Sequence, residues 1–309
     1  MKILVTGGSG FIGSHIVDAL LEKEHQVKIY DIESPKYNQN CDYIKADVLD
    51  LNRLIQESKD YDSIYHLAAE ADVNRFYKSP YYSNLITSCS TINVLEASRI
   101  NNISRVLLAS TEWVYGSPEG DEDEIITEET PTTNNPDHIY TSSKIAAEMF
   151  CKNYKRLYNV NYTIMRFGIP FGERARESTV TPIFLNRILN DEEITIHGDG
   201  SQTRQFIYVK ELAKGCVACL HKNAENQIIN LEGKERISVL GIVRNLEEIL
   251  NKKANIKFAE DRAGQFKGRL ISGEKAKKLL GWEPKISYKD ALKNYVKWFI
   301  EEKGIKNEI

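Results

Sequence analysis

The segment Thr6-Gly-Gly-Ser-Gly-Phe-Ile-Gly13 constrains this chain more than any other. It follows a short β-type run, Lys2–Thr6, and opens a stretch where Ile12, Ile16, Ala19 and Leu20 recur at helical spacing. Spaced glycines between a strand and a helix have separate tasks. Gly7 permits a tight turn, Gly10 lets the backbone approach a pyrophosphate, and Gly13 lets the helix pack closely on the sheet. The first helical turn, Phe11, Ile12 and Gly13, then offers unpaired N–H donors and a positive dipole end to phosphate oxygens. Asp31 ends the next β-type run, Val27–Asp31. A carboxylate there accepts both hydroxyls of an adenosine ribose and repels a 2′-phosphate, which favours NAD over NADP.

The same alternation continues. Tyr43–Ala46, Ser63–Leu67, Arg105–Ala109 and Tyr162–Phe167 read as strands, and Leu51–Ser58, Pro80–Asn101 and Tyr140–Tyr158 as helices. Short strands separated by helices imply parallel β-α-β units, hence an α/β fold with a doubly wound parallel sheet. Past Phe171 the rhythm loosens. Pro182–Leu189, Ser238–Leu250, Gly273–Leu280 and Tyr288–Glu302 read as helices, and Ile194–Ile196 and Ile256–Phe258 as strands. Residues 1–170 are expected to form the first domain, with 206–232 returning to it, and 171–309 mainly a smaller one.

Composition excludes several partners. The chain has 309 residues, 28% of them charged, and a formal net charge of −3. That balance leaves no basic footprint for nucleic acid. No apolar run has the roughly 20 residues of a membrane span, and the N-terminal run reads as a strand, not a targeting peptide. The five cysteines, Cys41, Cys89, Cys151, Cys216 and Cys219, are odd in number and irregular in spacing. They suit free thiols in a reducing cytoplasm. Cys216 and Cys219 form a C-x-x-C with no second pair at ligand spacing, so they read as packed side chains and no metal is expected. Asp121–Glu124 reads as a solvated acidic loop.

Tyr140-Thr-Ser-Ser-Lys144 carries the chemistry. Positions i and i+4 share a helix face, and an ammonium beside a phenol stabilises phenolate. Lys144 is therefore expected to lower the Tyr140 pKa and make it a general base or acid. Ser110 and Thr111 end the run Arg105-Val-Leu-Leu-Ala109, at the carboxyl edge where open parallel sheets bind ligands.

Together these motifs resemble the extended short-chain dehydrogenase/reductases, specifically the NAD-dependent nucleotide-sugar epimerase/dehydratase family. The resemblance covers essentially the whole chain. It also rests on Ala46-Asp47-Val48, His66-Leu-Ala-Ala69, Val114-Tyr-Gly116, Met165-Arg166, Phe171-Gly172, Gly198–Arg204, Phe206–Val209 and Leu280-Gly-Trp282. It implies a Rossmann domain with a smaller C-terminal substrate-binding domain, NAD as cofactor, and a nucleotide-diphosphate sugar as substrate. By the same resemblance, Asp47 and Val48 contact the adenine, and Ala68 and Ala69 line the cofactor path. Ser110 belongs to the cofactor site, and Lys144 also holds the nicotinamide ribose. Thr111 is implied as the substrate-binding Ser/Thr. Thr179 and Val180, in the segment Ser178–Pro182, belong with Arg204 and Arg262 to the nucleotide diphosphate site. Pro80–Asn101 and Tyr140–Tyr158 are implied to pair with a second copy in a homodimer.

Several positions depart from the family pattern. Ile169 stands where many 4-epimerases carry a substrate-contacting Asn, and Gln265 where an Asp is usual. After Thr111, dehydratases place two acids, because elimination needs a proton donor and a base. Here Glu112, a candidate catalytic residue that could be a proton shuttle, a hydroxyl ligand or a carboxylate turned away from the site, is followed by Trp113, which cannot act as a base. The single acid favours epimerisation at C4 through a transient 4-keto sugar. A 4,6-dehydratase, a 4-reductase, an epimerase at another carbon and a non-catalytic NAD-sensing regulator are the alternatives.

Overall fold

A computed structural model describes residues 1–116, 125–260 and 270–305. Apolar residues on both faces of the strands build the larger sheet. Its first strands are β1 (Lys2–Thr6), β2 (Gln26–Asp31), β3 (Asp42–Lys45), β4 (Ser63–His66) and β5 (Arg105–Thr111). The two-residue β6 (Ile125–Ile126) lies apart, and β7 (Tyr162–Phe167) returns to the sheet. The intervening helices are α1 (Phe11–Leu21), α2 (Leu51–Glu57), α3 (Val73–Lys78), α4 (Pro80–Asn84), α5 (Ser90–Ile100) and α6 (Ile139–Tyr158).

The second half contributes β8 (Ile169–Phe171), α7 (Val180–Leu189), β9 (Glu193–His197), β10 (Thr203–Tyr208), α8 (Val209–Ala218) and β11 (Gln227–Leu231). Then come β12 (Arg236–Ser238), α9 (Val239–Leu250), β13 (Asn255–Ala259), β14 (Leu270–Ile271), α10 (Glu274–Leu280) and α11 (Tyr288–Lys303).

Seven parallel strands pair in the order β11-β7-β5-β4-β1-β2-β3. The order reverses between β1 and β4, the crevice where a doubly wound, Rossmann-type sheet binds ligand. Alternation along each strand serves two cores. Ile3, Val5, Leu107 and Met165 join one with α1 and α8, while Leu4, Val106, Leu108 and Ile164 join the other with α5 and α6. Both faces are covered, so both sets are apolar. A smaller lobe contains the sheet β12-β10-β8, the pair β13-β9, and a core of Phe171, Phe184, Leu246, Tyr288 and Phe299. β11, although it follows this lobe's β10, pairs with β7 in the large sheet. Cys216 and Cys219 are fully buried in the first core as free thiols.

The long helix expected over Pro80–Asn101 is interrupted. Leu85–Cys89 forms a π turn between α4 and α5. Thr87 bonds the backbone of Glu70, and the Ser90 hydroxyl donates to the Ile86 carbonyl. Hydroxyl side chains that engage the backbone compete with the α ladder.

Two buried polar groups hold the strand ends. Glu148 on α6 accepts Nε of Arg166 at 2.9 Å and Nη2 at 2.7 Å, and also the Ser110 hydroxyl at 2.6 Å. His66 links β4 to Thr6 of β1 (2.8 Å) and to Ser90 of α5 (3.2 Å). Burial, then the Lys144 charge, pulls its pKa down to about 3.

Removing one member of a buried ion pair strands the other charge. Arg166→Met should therefore cost about 3–5 kcal/mol, read as a fall in the urea midpoint; a loss below about 1 kcal/mol would refute this. His66 stays neutral when folded but takes up a proton when unfolded below about pH 6.5. Its contribution is constant above that pH and declines as pH falls toward its folded value. At pH 4.5 the loss should be about 2.5 kcal/mol relative to pH 7, and a His66→Gln variant should show a correspondingly flatter profile.

Candidate active site

The glycine loop has the geometry the sequence demands. Gly7 has φ of +73°, and a Cβ there would lie 2.6 Å from the Ala68 nitrogen. A Cβ on Gly13 would lie 2.1 Å from the Gly7 oxygen. Gly10 is the N-cap of α1 and supplies no side-chain cap, so the first-turn N–H groups of Phe11, Ile12 and Gly13 have no side chain on them. Asp31 stands at the end of β2, where its carboxylate accepts N–H bonds from Ser9 and Glu33, both at 3.0 Å. Burial nevertheless raises its pKa. Asp47 is exposed, whereas the Val48 side chain is buried in the core. Ala68 and Ala69 follow β4, and Ala68 lies directly beside Gly7. This arrangement fits a dinucleotide: a bare helix N-terminus for pyrophosphate, and a held carboxylate one strand away for ribose.

Across the crevice, α6 starts at Ile139 and brings Tyr140 against β5. The Thr111 hydroxyl caps the turn after β5 by accepting the Trp113 N–H at 3.3 Å, and it stands on the Tyr140 phenol's side of that turn, where it favours the ionised phenol. Phe76 and Trp113 meet the Tyr140 ring edge-on, with centroids at 5.8 and 6.0 Å. Lys144 is 4% exposed; its ammonium donates to the Ala109 carbonyl at 2.9 Å and lies 5.9 Å from the Tyr140 ring centroid. Burial pulls its pKa down to about 8, opposed by Glu148.

The expected lowering of the Tyr140 pKa by Lys144 is not what this geometry produces. Burial between two aromatic rings pushes the phenol up to about 12, and the opposing influences are the Thr111 hydroxyl and the Arg176 charge. The Lys144 ammonium is instead held at Ala109.

A match to the family model described as "NAD dependent epimerase/dehydratase family" spans residues 3–231. The chain belongs to this family. Its cofactor is NAD, which the glycine loop and Asp31 fit. A UDP-glucose 4-epimerase from Thermotoga maritima, solved with UDP-glucose, superposes with a TM-score of 0.90 at 28% identity, covering 98% of this chain and 99% of that one. A UDP-glucuronic acid 4-epimerase from Bacillus cereus, in complex with UDP-glucuronic acid and NAD, has a TM-score of 0.87 at 31% identity over 98% of this chain and 100% of its own. UDP-glucuronic acid decarboxylase 1 of Xenopus tropicalis is 30% identical over 97% of this chain and 72% of its own length. The family thus spans more than one reaction.

Other residues matched to the family fall as follows. Ser110 is buried and its hydroxyl donates to Glu148, so its side chain ties β5 to α6. Thr179 is the N-cap of α7 and Val180 its first residue; no side chain caps this helix. Arg204 is half-buried on β10, where Nη1 donates to the Thr203 carbonyl at 2.8 Å. Ile169 begins β8 and packs against the smaller lobe's core. Arg262, Gln265 and Asp121–Glu124 lie outside the described residues.

Glu112 opens the helical turn after β5 and faces Arg204; burial pushes its pKa up to about 8. Sequence reasoning missed three neighbours. Phe76 and Arg176 come from segments with no motif, and only the fold brings them to Tyr140. Glu232, which follows β11, interacts with Glu112. Its signal was an acidic residue directly after an apolar strand, at the ligand-binding edge.

Asp31→Ala should erase the discrimination against a 2′-phosphate. The ratio of NADP to NAD dissociation constants, measured by calorimetry, should fall about tenfold or more. An unchanged ratio would remove Asp31 from the ribose site.

Proposed function

We propose that the chain is an NAD-dependent UDP-sugar 4-epimerase working through a transient 4-keto sugar. The observation that carries this reading is Tyr140 at the start of α6, one turn from Lys144 and beside Thr111 at the end of β5, together with the bare α1 N-terminus after the glycine loop. Tyr140 takes the proton of the sugar C4 hydroxyl and later returns one to it, while Thr111 fixes the phenol and the sugar oxygen. Arg176 supplies positive charge near the phenol as it ionises, while Lys144, held at the Ala109 carbonyl, is proposed to hold the nicotinamide ribose. NAD, when bound against the glycine loop and Asp31, would supply the hydride acceptor and donor, so that the cycle has no net redox change. The sugar turns between the two transfers and is reduced on its other face.

The diphosphate is proposed to bind at the start of α7, where Thr179 and Val180 present an uncapped helix N-terminus, with Arg204 of β10 as a guanidinium partner. Trp113 supports epimerisation over elimination: it packs on Tyr140 and His138 where a second acid would be required. A homodimer through α4 and α6 is part of the proposal, since Tyr81, Tyr82, Met149 and Leu157 are exposed there. The five unbridged cysteines support a cytoplasmic setting. Among the described residues no helix is long and apolar enough to cross a membrane.

Tyr140→Phe tests the chemistry. It should lower kcat by about two to three orders of magnitude on UDP-glucose while leaving NAD affinity unchanged. Product NMR against a panel of UDP-, GDP-, dTDP- and CDP-sugars identifies the reaction: a C4 epimer supports the proposal, and a 4-keto-6-deoxy product refutes it.

A further inference from the structure

The helix that offers its N-terminus to the cofactor's pyrophosphate also carries the smaller lobe along its side. Phe11, His15 and Asp18 of α1 recur at i, i+4 and i+7 and so share one face. Phe11 packs against the smaller lobe's core and meets the His15 ring edge-on, with centroids at 6.2 Å. His15 is buried, and its Nε2 lies 2.9 Å from the Glu173 carbonyl oxygen. A carbonyl only accepts, so Nε2 is the donor. Burial keeps this imidazole neutral, with its pKa drawn down to about 4. Asp18 pairs through Oδ2 with Arg174 Nη1 at 2.7 Å, and its Oδ1 accepts Asn38 Nδ2 at 2.5 Å.

Arg174 is where these contacts meet. It is a non-glycine residue at φ +65°, a conformation with a steric cost that surrounding contacts have to sustain. Its guanidinium carbon lies 4.5 Å from the Tyr37 ring centroid, so the group is gripped by that ring as well as by Asp18. Tyr37 and Asn38 belong to the loop that follows Asp31, the carboxylate that fits the adenosine ribose. Lys36 of the same loop pairs with Glu302 on α11 at 2.5 Å. Beyond Arg174 the chain is tightly turned. The Ala175 N–H donates to the Gly172 carbonyl at 3.2 Å, and the Thr179 N–H and hydroxyl donate to the Arg176 carbonyl at 3.1 and 2.9 Å. Thr179 then opens α7. A continuous series of contacts thus runs from α1, and from the loop after Asp31, to the helix N-terminus proposed for the substrate's diphosphate.

Hydride transfer between two bound molecules depends on their separation, and a misplacement of about 1 Å costs about a hundredfold. The two ligands are assigned to different lobes, so neither lobe alone fixes that separation. We propose that Arg174 is a positioning residue: by gripping Asp18 and Tyr37 it sets the smaller lobe, and with it the sugar's C4, against the cofactor site of α1 and Asp31. It acts through the segment it anchors, without touching substrate or cofactor. The sugar's part rests on the 4-epimerase reading; the anchoring of the segment does not.

Two measurements separate these. Hydrogen exchange in the NAD-loaded protein reads the anchor. The Ala175 and Thr179 amides should exchange about tenfold faster in Arg174→Gln and in Asp18→Asn, and within about threefold of wild type in Arg174→Lys, which keeps the charge opposite Asp18. Unchanged exchange in the first two variants overturns the proposal. Asp18→Asn keeps an acceptor for Asn38 and loses only the ion pair, so it decides the point even where Arg174→Gln does not fold.

Turnover reads the positioning. On UDP-glucose, kcat should fall about tenfold or more in Asp18→Asn and Arg174→Gln, with most of it recovered in Arg174→Lys. The dissociation constants of NAD and UDP, measured by calorimetry, should stay within about twofold of wild type. An unchanged kcat, or a fall matched by lost affinity, overturns the proposal. Should the wild type give no C4 epimer from UDP-glucose, the sugar reading and the positioning of C4 both fail, while the exchange rates still decide whether Arg174 anchors the segment.

Discussion

The Glu148–Arg166 pair organises the catalytic end of the large sheet. It joins α6, which carries Tyr140 and Lys144, to β7 in the sheet's interior, and through Ser110 to β5. Its guanidinium also lies 4.7 Å from the Tyr115 ring, and the Tyr115 hydroxyl donates to Asn230 on β11 at 2.7 Å. One buried charge pair thereby registers three neighbouring strands and the helix that covers them. Glu148 is one turn past Lys144 on the same helix face, so the anchor and the chemistry share a single rigid element. A buried ion pair adds little net stability by itself. Here its effect is positional, fixing where the phenol and ammonium stand relative to the Thr111 hydroxyl.

The fold was legible where one local rule decided each residue. The large sheet announced itself through short apolar runs with helical stretches between them, and Tyr162–Phe167 forms a strand with the bounds its sequence indicates. Pro80–Asn101 was not legible as a broken helix, because its apolar spacing is continuous. What interrupts it is hydroxyl chemistry at Thr87 and Ser90, which depends on partners, Glu70 among them, that periodicity does not weigh. Boundaries shifted for a related reason. Ser238 became the N-cap of α9, accepting the Gly241 N–H, and so stands outside the helix.

The site was legible as a set of motifs and less so as an electrostatic environment. The glycine loop meets Asp31 through the Ser9 N–H, and Tyr140 and Lys144 share one face of α6, as their spacing suggests. The ionisation of Tyr140 did not follow from the Tyr-x-x-x-Lys pattern, since that pattern specifies a neighbour and says nothing of Phe76 and Trp113, which strip water from the ring. Glu232 escaped notice for a similar reason. Its relation to Glu112 arises from strand order, β11-β7-β5, and strand order is a property of the folded sheet.

The path of the chain between its two lobes has a consequence for how such proteins diversify. The backbone passes from the large sheet to the smaller one at Gly168, returns after Tyr208, and leaves again at Glu232. The lobes are therefore laced together, and the smaller one is built from two separate stretches of sequence. Neither can be traded for another as a cassette, because cutting the chain before β8 also removes β11 from the large sheet and uncovers β7. New specificity in this architecture is then reached by substitution and loop insertion within an intact chain path, whose crossing points include Gly168 and Glu232.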